Sequence, residues 1–320
     1  MEGECSMAAA GKRKKVMKYY SFRRSLPIYL MLLPGTVYLI CNNYMPMFGV
    51  VMAFKKLNFK AGILKSPWNG LNNFKFLFQT GDIWMVLRNT LLYNVTFIIL
   101  GMIIGVFSAV MLNEIRSKTQ KTIYQTLILL PYLMSYVVVS YFAFAFLSTE
   151  NGFINNSLLP VFGRTGSIQF YQETKYWPAI LIFFNIWKGL GFSTVLYMST
   201  LIGISPEYYE AAKMDGAGKW KQFVSITLPG LRPTLITMLI MGLGAIVRSD
   251  FGLFYQLPKN SGMLYPVTET IDVYVYNMLM NQGNYALSSA ASFFQSIVGF
   301  ILVIASNYMI RRISPEDAMF

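Results

Sequence analysis

Six long apolar stretches constrain the fold of this 320-residue chain more than any other feature. Each could cross the hydrocarbon core of a bilayer, which takes about 20 residues of helix. A helix satisfies its own backbone hydrogen bonds inside lipid, and none of the stretches alternates in polarity as a barrel strand does. The sequence therefore predicts an all-α membrane protein with six transmembrane helices, at residues 26–50, 89–112, 123–147, 178–202, 233–253 and 287–310.

The composition supports a membrane protein and excludes several other classes. Hydrophobic residues make up 55% of the chain and charged residues 13%, against about 25% charged in a typical soluble domain. So high an apolar content excludes disorder for most of the chain. Two cysteines and no histidine exclude a disulfide-built fold and histidine-based catalysis. We therefore expect no catalytic site and no metal site.

The distribution of the net charge of +13 argues against nucleic acid as a partner. Seven of the 27 lysines and arginines precede residue 25, directly before the first apolar run. That run lacks an A-x-A cleavage site and is too long for a signal peptide, so we expect an uncleaved helix. The positive-inside rule then predicts cytoplasmic termini on a multi-pass protein of the cell membrane. The expected parts are a basic tail at 1–25, a transmembrane domain at 26–312 and a second cytoplasmic tail at 313–320.

One predicted external segment, at residues 55–88, departs from the positive-inside rule. It carries six basic residues, together with aromatic residues spaced as on a helix that lies in the membrane interface. An aromatic belt anchor is one interpretation, and a docking surface for an external partner is the other. The aromatic residues are Trp68, Phe74, Phe76 and Phe78, and the basic residues are Lys55, Lys56, Lys60, Lys65, Lys75 and Arg88.

The predicted cytoplasmic loop at residues 203–232 is the most informative segment. Ser205 is a good N-cap residue, and Pro206 fits the first position of a helix. Gly216 can take the left-handed backbone that ends a helix, so a short helix is expected at about 206–214. A second apolar segment follows before the next span. On these features alone, the loop is either a compact knob for a partner or an ordinary amphipathic connector.

The spacing in this loop resembles the EAA motif of binding-protein-dependent ABC importer permeases. That motif reads E-A-A, three residues, G, nine residues, I-x-L-P. Average residue frequencies make a chance match roughly 10⁻⁸ per window, so the match is specific. The matching residues are Glu210, Ala211, Ala212, Gly216, Ile226, Leu228 and Pro229.

Further segments extend the resemblance over nearly all of residues 25–312. Gly189-Leu-Gly and the run from Tyr197 to Ile204 are similar to carbohydrate permeases of the maltose-permease type. Four other segments resemble a narrower branch, the permeases for aldouronate or polysaccharide oligomers; they are residues 67–74, 250–255, 270–276 and 290–296. The resemblance implies the type I ABC importer permease fold.

The resemblance also implies a division of labour among several subunits. A second homologous permease, unlike this one, would complete the translocation path, and two ATPase subunits would bind below it. An extracytoplasmic solute-binding protein would deliver the cargo. ATP and Mg²⁺ would belong to the ATPase, because this chain has no G-x-x-x-x-G-K-[ST] phosphate loop and is expected to hold no cofactor. The residues expected to couple to the ATPase are Glu210, Ala211, Ala212, Asp215, Gly216, Ile226, Leu228 and Pro229.

Polar and aromatic residues in the spans are candidates for the substrate path. Sugar sites combine hydrogen-bonding groups with apolar and aromatic walls, and ionisable residues at membrane depth usually face a bundle interior or water. Each candidate could instead serve packing, pairing or interfacial placement. The candidates are Asn185, Trp187, Lys188, Tyr197, Arg248, Asp250, Tyr255 and Gln295.

The function expected from the resemblance is that of a permease subunit importing an oligosaccharide, with uronic-acid-containing chains as one class. The same machine carrying another solute, such as a glycerol phosphate ester, is an alternative. A secondary transporter would need paired broken helices or a carboxylate relay in the membrane. A membrane enzyme would need a convergent nucleophile, base or metal set, which the spans do not offer. We therefore expect a transport subunit rather than an enzyme.

Overall fold

The computed structural model describes residues 22–58, 60–163 and 166–313. Most of the predicted tails, at 1–25 and 313–320, lies outside the described residues. Within the described ranges the chain is helical almost throughout. The only β pairing among these residues is an isolated antiparallel bridge between Lys55 and Trp68.

Nine longer helices carry the architecture of the described residues. In chain order they are α1 (Phe22–Leu39), α2 (Asp82–Glu114), α3 (Lys118–Leu133), α4 (Tyr136–Leu147), α5 (Trp177–Ile202), α6 (Pro206–Met214), α7 (Leu228–Gly244), α8 (Ile271–Met280) and α9 (Tyr285–Ile313). The short α-helices are Met45–Met47, Gly62–Lys65, Asn72–Gln79, Leu159–Val161, Lys219–Gln222, Phe251–Gln256 and Tyr265–Thr268. Shorter 3₁₀ segments lie at Phe48–Phe54, Thr174–Tyr176 and Gly262–Leu264, and π-helical turns at Ile40–Tyr44, Ile154–Leu158 and Phe223–Thr227.

Within the described ranges, five uninterrupted helical stretches are long and apolar enough to cross a membrane. They are Leu26–Phe54, Asp82–Glu114, Thr174–Ile202, Lys219–Gly244 and Tyr285–Tyr308. The span predicted at 233–253 is displaced, because its helix already begins at Lys219 and ends at Gly244. A sixth crossing requires that α3 and α4 count together, and the two helices meet at an angle of 98°. The span predicted at 123–147 is therefore divided between two helices, and it is one crossing only as a bent pair.

The break between α3 and α4 has a local cause and a compensating contact. Pro131 lies in the last turn of α3, and Ser135 caps α4 by accepting a hydrogen bond from the backbone N–H of Val138 at 3.3 Å. A break frees carbonyl groups that have no water partner at membrane depth. The Lys188 ammonium of α5 donates to one of them, the Tyr132 carbonyl, at 2.9 Å. Lys188 thus provides a hydrogen-bond donor for a carbonyl group that would have an intrahelical partner if the helix were continuous.

Residues from Val51 onward form a compact unit, and the first helix belongs to a separate one. Packing in the larger unit centres on α2 and α5. Gly105 of α2 lies so close to α5 that a Cβ there would stand 2.9 Å from Ser193 Oγ. Gly191 of α5 lies equally close to α3, because a Cβ there would stand 2.6 Å from the Ile128 carbonyl oxygen. Small residues thus let these helices approach closely inside the membrane.

Both sides of the membrane can be assigned from the helix ends. The C-terminus of α2 meets the N-terminus of the Lys219–Gly244 helix through an ion pair between Glu114 and Lys219. Helix α5 ends at Ile202, directly before the loop at 203–232. We call this face the coupling side. Because each span crosses once, residues 55–81 and 245–284 lie on the opposite side.

Candidate functional site: a coupling loop and a cavity at opposite ends of one helix

The first half of the 203–232 loop is the capped helix that the sequence predicts. Ser205 caps α6, its side chain accepting a hydrogen bond from the backbone N–H of Glu207 at 3.4 Å. Pro206 occupies the first turn, and Glu207 places negative charge at the positive helix end. The loop thus presents a short, separately capped helix on the coupling side.

Glycine is required at the turn that ends α6. Gly216 has a φ of +74°, a left-handed conformation that costs other residues roughly 1–2 kcal/mol. The chain then folds back, and the Ala217 N–H donates to the Ala212 carbonyl at 2.8 Å. Gln222 fixes the far side of the turn, since its buried amide donates to the Ala217 carbonyl at 2.7 Å. The glycine of the EAA motif therefore sets the angle between the two halves of the loop.

The second half of the loop is continuous with a membrane span. Residues Lys219–Gly244 run as one helix through a π-helical turn at Phe223–Thr227. The hydroxyl groups of Tyr209 and Thr227 are hydrogen bonded at 3.0 Å, which ties α6 to this helix. The separate second segment expected before the span is thus the first part of the span's own helix.

Most of the motif is exposed on the coupling side. Ala212 and Ile226 are half-buried. The other motif residues are exposed, as is Asp215 beside them; these motif residues are Glu210, Ala211, Gly216, Leu228 and Pro229. Large apolar side chains that the motif does not include stand beside them: Met214 is 89% exposed and Trp220 is 76% exposed. Polar, small and apolar groups together form a surface suited to a protein partner.

A cavity of about 600 Å³ lies between α2, α5 and the far end of α7. Four of the predicted substrate-path residues line it: Asn185, Tyr197, Arg248 and Asp250. Asn94 and Ser249 add polar groups, and Phe97 and Phe192 add aromatic walls. The lining thus has hydrogen-bond donors and acceptors beside aromatic rings. It also has one cation, Arg248, and one carboxylate, Asp250.

The segment that bears Arg248 is held by α2. Asn94 donates from its side-chain amide to the carbonyl oxygen atoms of Ile246 at 2.8 Å and Arg248 at 2.6 Å. Asn94 and Arg248 are far apart in sequence, so nothing in the local pattern marks Asn94 as part of the site. The two hydrogen bonds hold the segment that follows the end of α7 at Gly244.

Asp250 combines a cavity position with a structural role. Its carboxylate caps the Phe251–Gln256 helix, accepting from the Leu253 N–H at 3.3 Å. Its carboxylate also lies close to the side chain of Tyr136, the first residue of α4. Gly252 leaves room for the same ring, since a Cβ there would stand 2.6 Å from it. The break in the third span and the cavity rim are thus in direct contact.

Gln295 supports the cavity segment from behind. Its buried amide donates to the Val247 carbonyl at 2.8 Å and to the carboxylate of Asp272 at 3.2 Å. The same carboxylate accepts from the Ser249 hydroxyl at 2.8 Å and from its backbone N–H. Gln295 and Asp272 therefore position Ser249 and its neighbours, and the structure places Gln295 outside the cavity lining.

The other three candidates also lie outside the lining. Lys188 caps the broken helix, with its ammonium 4.9 Å from the centre of the Tyr136 ring. Trp187 packs at the edge of a buried cluster that includes Phe184. Tyr255 stacks on Phe251 at 4.8 Å. The structure thus gives these side chains packing contacts.

Comparison with known proteins places this architecture in a family. Residues 101–315 match the family described as "Binding-protein-dependent transport system inner membrane component". The protein LplB of Bacillus subtilis (strain 168) is 33% identical over 296 residues, covering 92% of both chains. The polygalacturonan/rhamnogalacturonan transport system permease protein YteP of the same organism is 35% identical over 289 residues, covering 90% of this chain and 89% of YteP.

Solved structures agree with the sequence relatives. One is the crystal structure of a bacterial ABC transporter involved in the import of the acidic polysaccharide alginate. Its matching chain is 31% identical, with a TM-score of 0.82 over 92% of this chain and 98% of its own. A second structure shows the alginate transporter in complex with a periplasmic protein bound to an alginate pentasaccharide; its TM-score is also 0.82, over 92% of this chain and 96% of its own. The chain belongs to the family of inner membrane components of binding-protein-dependent transport systems.

Proposed function

We propose that this chain is the permease subunit of an ABC importer for an oligosaccharide, and that it forms half of the translocation path. A second, unlike permease would supply the other half, and two ATPase subunits would bind ATP and Mg²⁺ on the coupling side. A solute-binding protein would deliver cargo on the opposite side. The chain itself would perform no chemistry.

One observation supports this proposal above the others. The exposed EAA residues and the cavity lie at opposite ends of one continuous helix, Lys219–Gly244. A movement imposed on the loop by an ATPase would therefore reach the cavity wall directly. A secondary transporter has no use for an exposed knob of this kind.

The chemistry of the cavity favours a carbohydrate that carries acidic groups. Aromatic rings suit sugar faces, and the side chains of Asn94, Asn185 and Asp250 suit hydroxyl groups. Arg248 offers a guanidinium group, which pairs well with planar carboxylates. The relatives named for polygalacturonan and alginate transport act on acidic polysaccharides, which supports uronic-acid-containing oligosaccharides as the cargo class.

The test is transport by the complex purified through a tag on this chain and reconstituted into vesicles. We expect an ATPase, a second permease and a solute-binding protein to co-purify, and uptake to require ATP. Glu210→Gln should uncouple ATP hydrolysis from the binding protein, whereas Glu207→Gln, an exposed residue on the same helix, should not. Uptake driven by an ion gradient without ATP would refute the proposal. A binding protein selective for glycerol phosphate esters would refute the cargo class alone.

A further inference from the structure

The connection after the first span folds back on itself. We call this segment, residues 55–58 and 60–68, the finger. It begins at Lys55, directly after the span Leu26–Phe54. The chain returns to the same place, because the Lys56 N–H donates to the Pro67 carbonyl at 3.0 Å and the Asn69 N–H donates to the Phe54 carbonyl at 2.8 Å. The base of the finger is thus fixed at the end of a membrane span.

The tip of the finger is held close to its base. The buried ammonium of Lys55 donates to the carbonyl oxygen atoms of Ile63 at 3.0 Å and Leu64 at 2.6 Å. Ser66 braces the same turn, donating from its hydroxyl group to the Gly62 carbonyl at 2.8 Å. One lysine side chain therefore separates the tip from the end of the stretch Leu26–Phe54, whose length and composition suit a membrane span.

The side chains at this tip are apolar and point outward. Leu64 is 86% exposed and Ile63 is 49% exposed, although the backbone around them is fixed by hydrogen bonds. Trp68, stacked on Phe54 with ring centres 5.7 Å apart, is also largely exposed. Leucine, isoleucine and tryptophan beside the end of a membrane span have a favourable environment in the acyl and headgroup region of a bilayer.

The remaining lysines supply the matching charge. Lys56 and Lys60 line an open hollow of about 550 Å³ with Leu57, Asn58 and Pro67. No acidic residue occurs anywhere in the sequence from 51 to 81. A positive hollow beside an apolar tip complements an anionic phospholipid, whose phosphate is charged and whose tails are apolar.

We propose that the finger is a phospholipid-binding element: the phosphate of an anionic lipid lies in the hollow between Lys56 and Lys60, and its tails pack along Ile63 and Leu64. The site explains why a segment on this side is rich in lysine. Lys55 acts inside the finger, whereas Lys56 and Lys60 face the lipid headgroup. Two of the aromatic residues in this segment, Phe74 and Phe78, pack on Phe293 and Phe294.

The proposal is tested with a fluorescent label at the tip in the full chain, purified in its complex. Leu64→Cys is introduced with Cys5→Ser and Cys41→Ser, labelled with bimane, and reconstituted into phosphatidylcholine vesicles with or without phosphatidylglycerol. We expect quenching by a nitroxide lipid that carries its spin label at headgroup depth, and stronger quenching when that lipid is phosphatidylglycerol. Protection from aqueous iodide should accompany it.

Matched lysine variants separate the hollow from general surface charge. Lys56→Gln and Lys60→Gln should each lower the preference for the anionic quencher roughly fivefold, as expected for one lysine at a charged surface. Lys75→Gln, an exposed lysine of the same segment outside the hollow, should leave that preference unchanged. Full iodide access with no lipid quenching would overturn the proposal. Protection that appears only after the solute-binding protein is added would identify a protein-docking surface instead, and would also overturn it.

Discussion

The coupling loop and the cavity stand at the two ends of one helix and are built in opposite ways. The loop draws its residues from one short run of sequence, and it fixes them with local contacts such as the Ser205 cap and the Gly216 turn. The cavity draws its lining from α2, α5, the end of α7 and the segment that follows it. A surface for a protein partner can be formed by residues that are adjacent in sequence. A path for cargo is lined by residues that lie far apart in the chain, so one side of it can be altered by substitution without altering the others.

The largest effect is expected where the loop depends on a single backbone conformation. Gly216→Val forces a β-branched residue into the left-handed region, at a cost of at least about 1–2 kcal/mol, and should reorient the two halves of the loop. We expect ATP-driven uptake to fall at least tenfold in vesicles. Gly218→Val is the control, because Gly218 has a φ of −66° and open space at its Cβ position. Equal losses in both variants would show that the turn geometry is not what matters.

The next largest effect should distinguish Arg248, whose side chain lines the cavity, from Lys188, which binds a backbone carbonyl group. Arg248→Met removes a charged hydrogen-bond donor worth roughly 1.5–3 kcal/mol, so uptake of acidic oligosaccharides should fall about tenfold relative to neutral ones. Lys188→Met should leave that ratio unchanged and lower the melting temperature, because the Tyr132 carbonyl loses its donor. The ratio of the two uptake rates and a thermal melt in detergent distinguish these roles. A changed ratio for Lys188→Met alone would reverse the assignment.

A smaller effect should follow from crowding the wall behind the cavity. The new Cβ in Gly191→Ala would meet backbone atoms of α3, at Ile128 and Leu129, and overpacking of this kind costs about 1–3 kcal/mol. Gly189→Ala, two residues earlier on α5, meets open space and should melt as the parent does. Thermal unfolding of the two variants in the same detergent checks the difference. Equal melting temperatures would mean that α3 shifts to accommodate the new Cβ with no loss of stability.

The smallest effect concerns pH on the side opposite the coupling loop. Burial raises the pKa of Glu269 to about 7, and this residue lies outside the five uninterrupted spans. The folded protein therefore holds this proton more tightly than the unfolded chain, in which the glutamate carboxyl group has its ordinary pKa near 4.5. Stability should fall as pH rises through that window, by on the order of 1 kcal/mol per unit.

Glu269→Gln should remove this part of the pH dependence, and the exposed Glu150→Gln should not. Melting temperatures at pH 5 and pH 8 give the comparison. An unchanged pH dependence in Glu269→Gln would show that this carboxyl group is better solvated than its buried position indicates.

The sequence predicts the loop better than the cavity, because the loop depends on local contacts and the cavity on contacts between distant residues. The EAA motif and the Ser205 cap are local signals, so the loop was predicted closely, apart from the continuity of its second half with the span. Most of the apolar spans also follow from composition, although the span predicted at 233–253 is displaced to Lys219–Gly244. The break at Ser135 does not, because the residues on both sides are equally apolar, although Pro131 followed by a serine cap is the signal that could have suggested it.

The cavity was predicted only in part for a physical reason. Arg248 and Asp250 attract notice because charge is costly near a membrane. Asn94 and Asp272 do not, since their partners lie far along the chain and depend on how the helices pack. Lys188 and Gln295 have the same chemistry as cavity residues, and only the fold shows that they bind backbone and carboxylate groups instead.

The continuity of the Lys219–Gly244 helix has a mechanical consequence. Trp220 at one end and Gly242 at the other are separated by roughly 33 Å, at 1.5 Å of rise per residue. A continuous helix of that length can transmit movement between its ends, because a tilt of a few degrees about its middle displaces both ends by comparable distances in opposite directions. Gly230 lies about midway along it, where a Cβ would stand 2.5 Å from the Ile204 side chain, so the middle of the helix packs closely against the start of the loop.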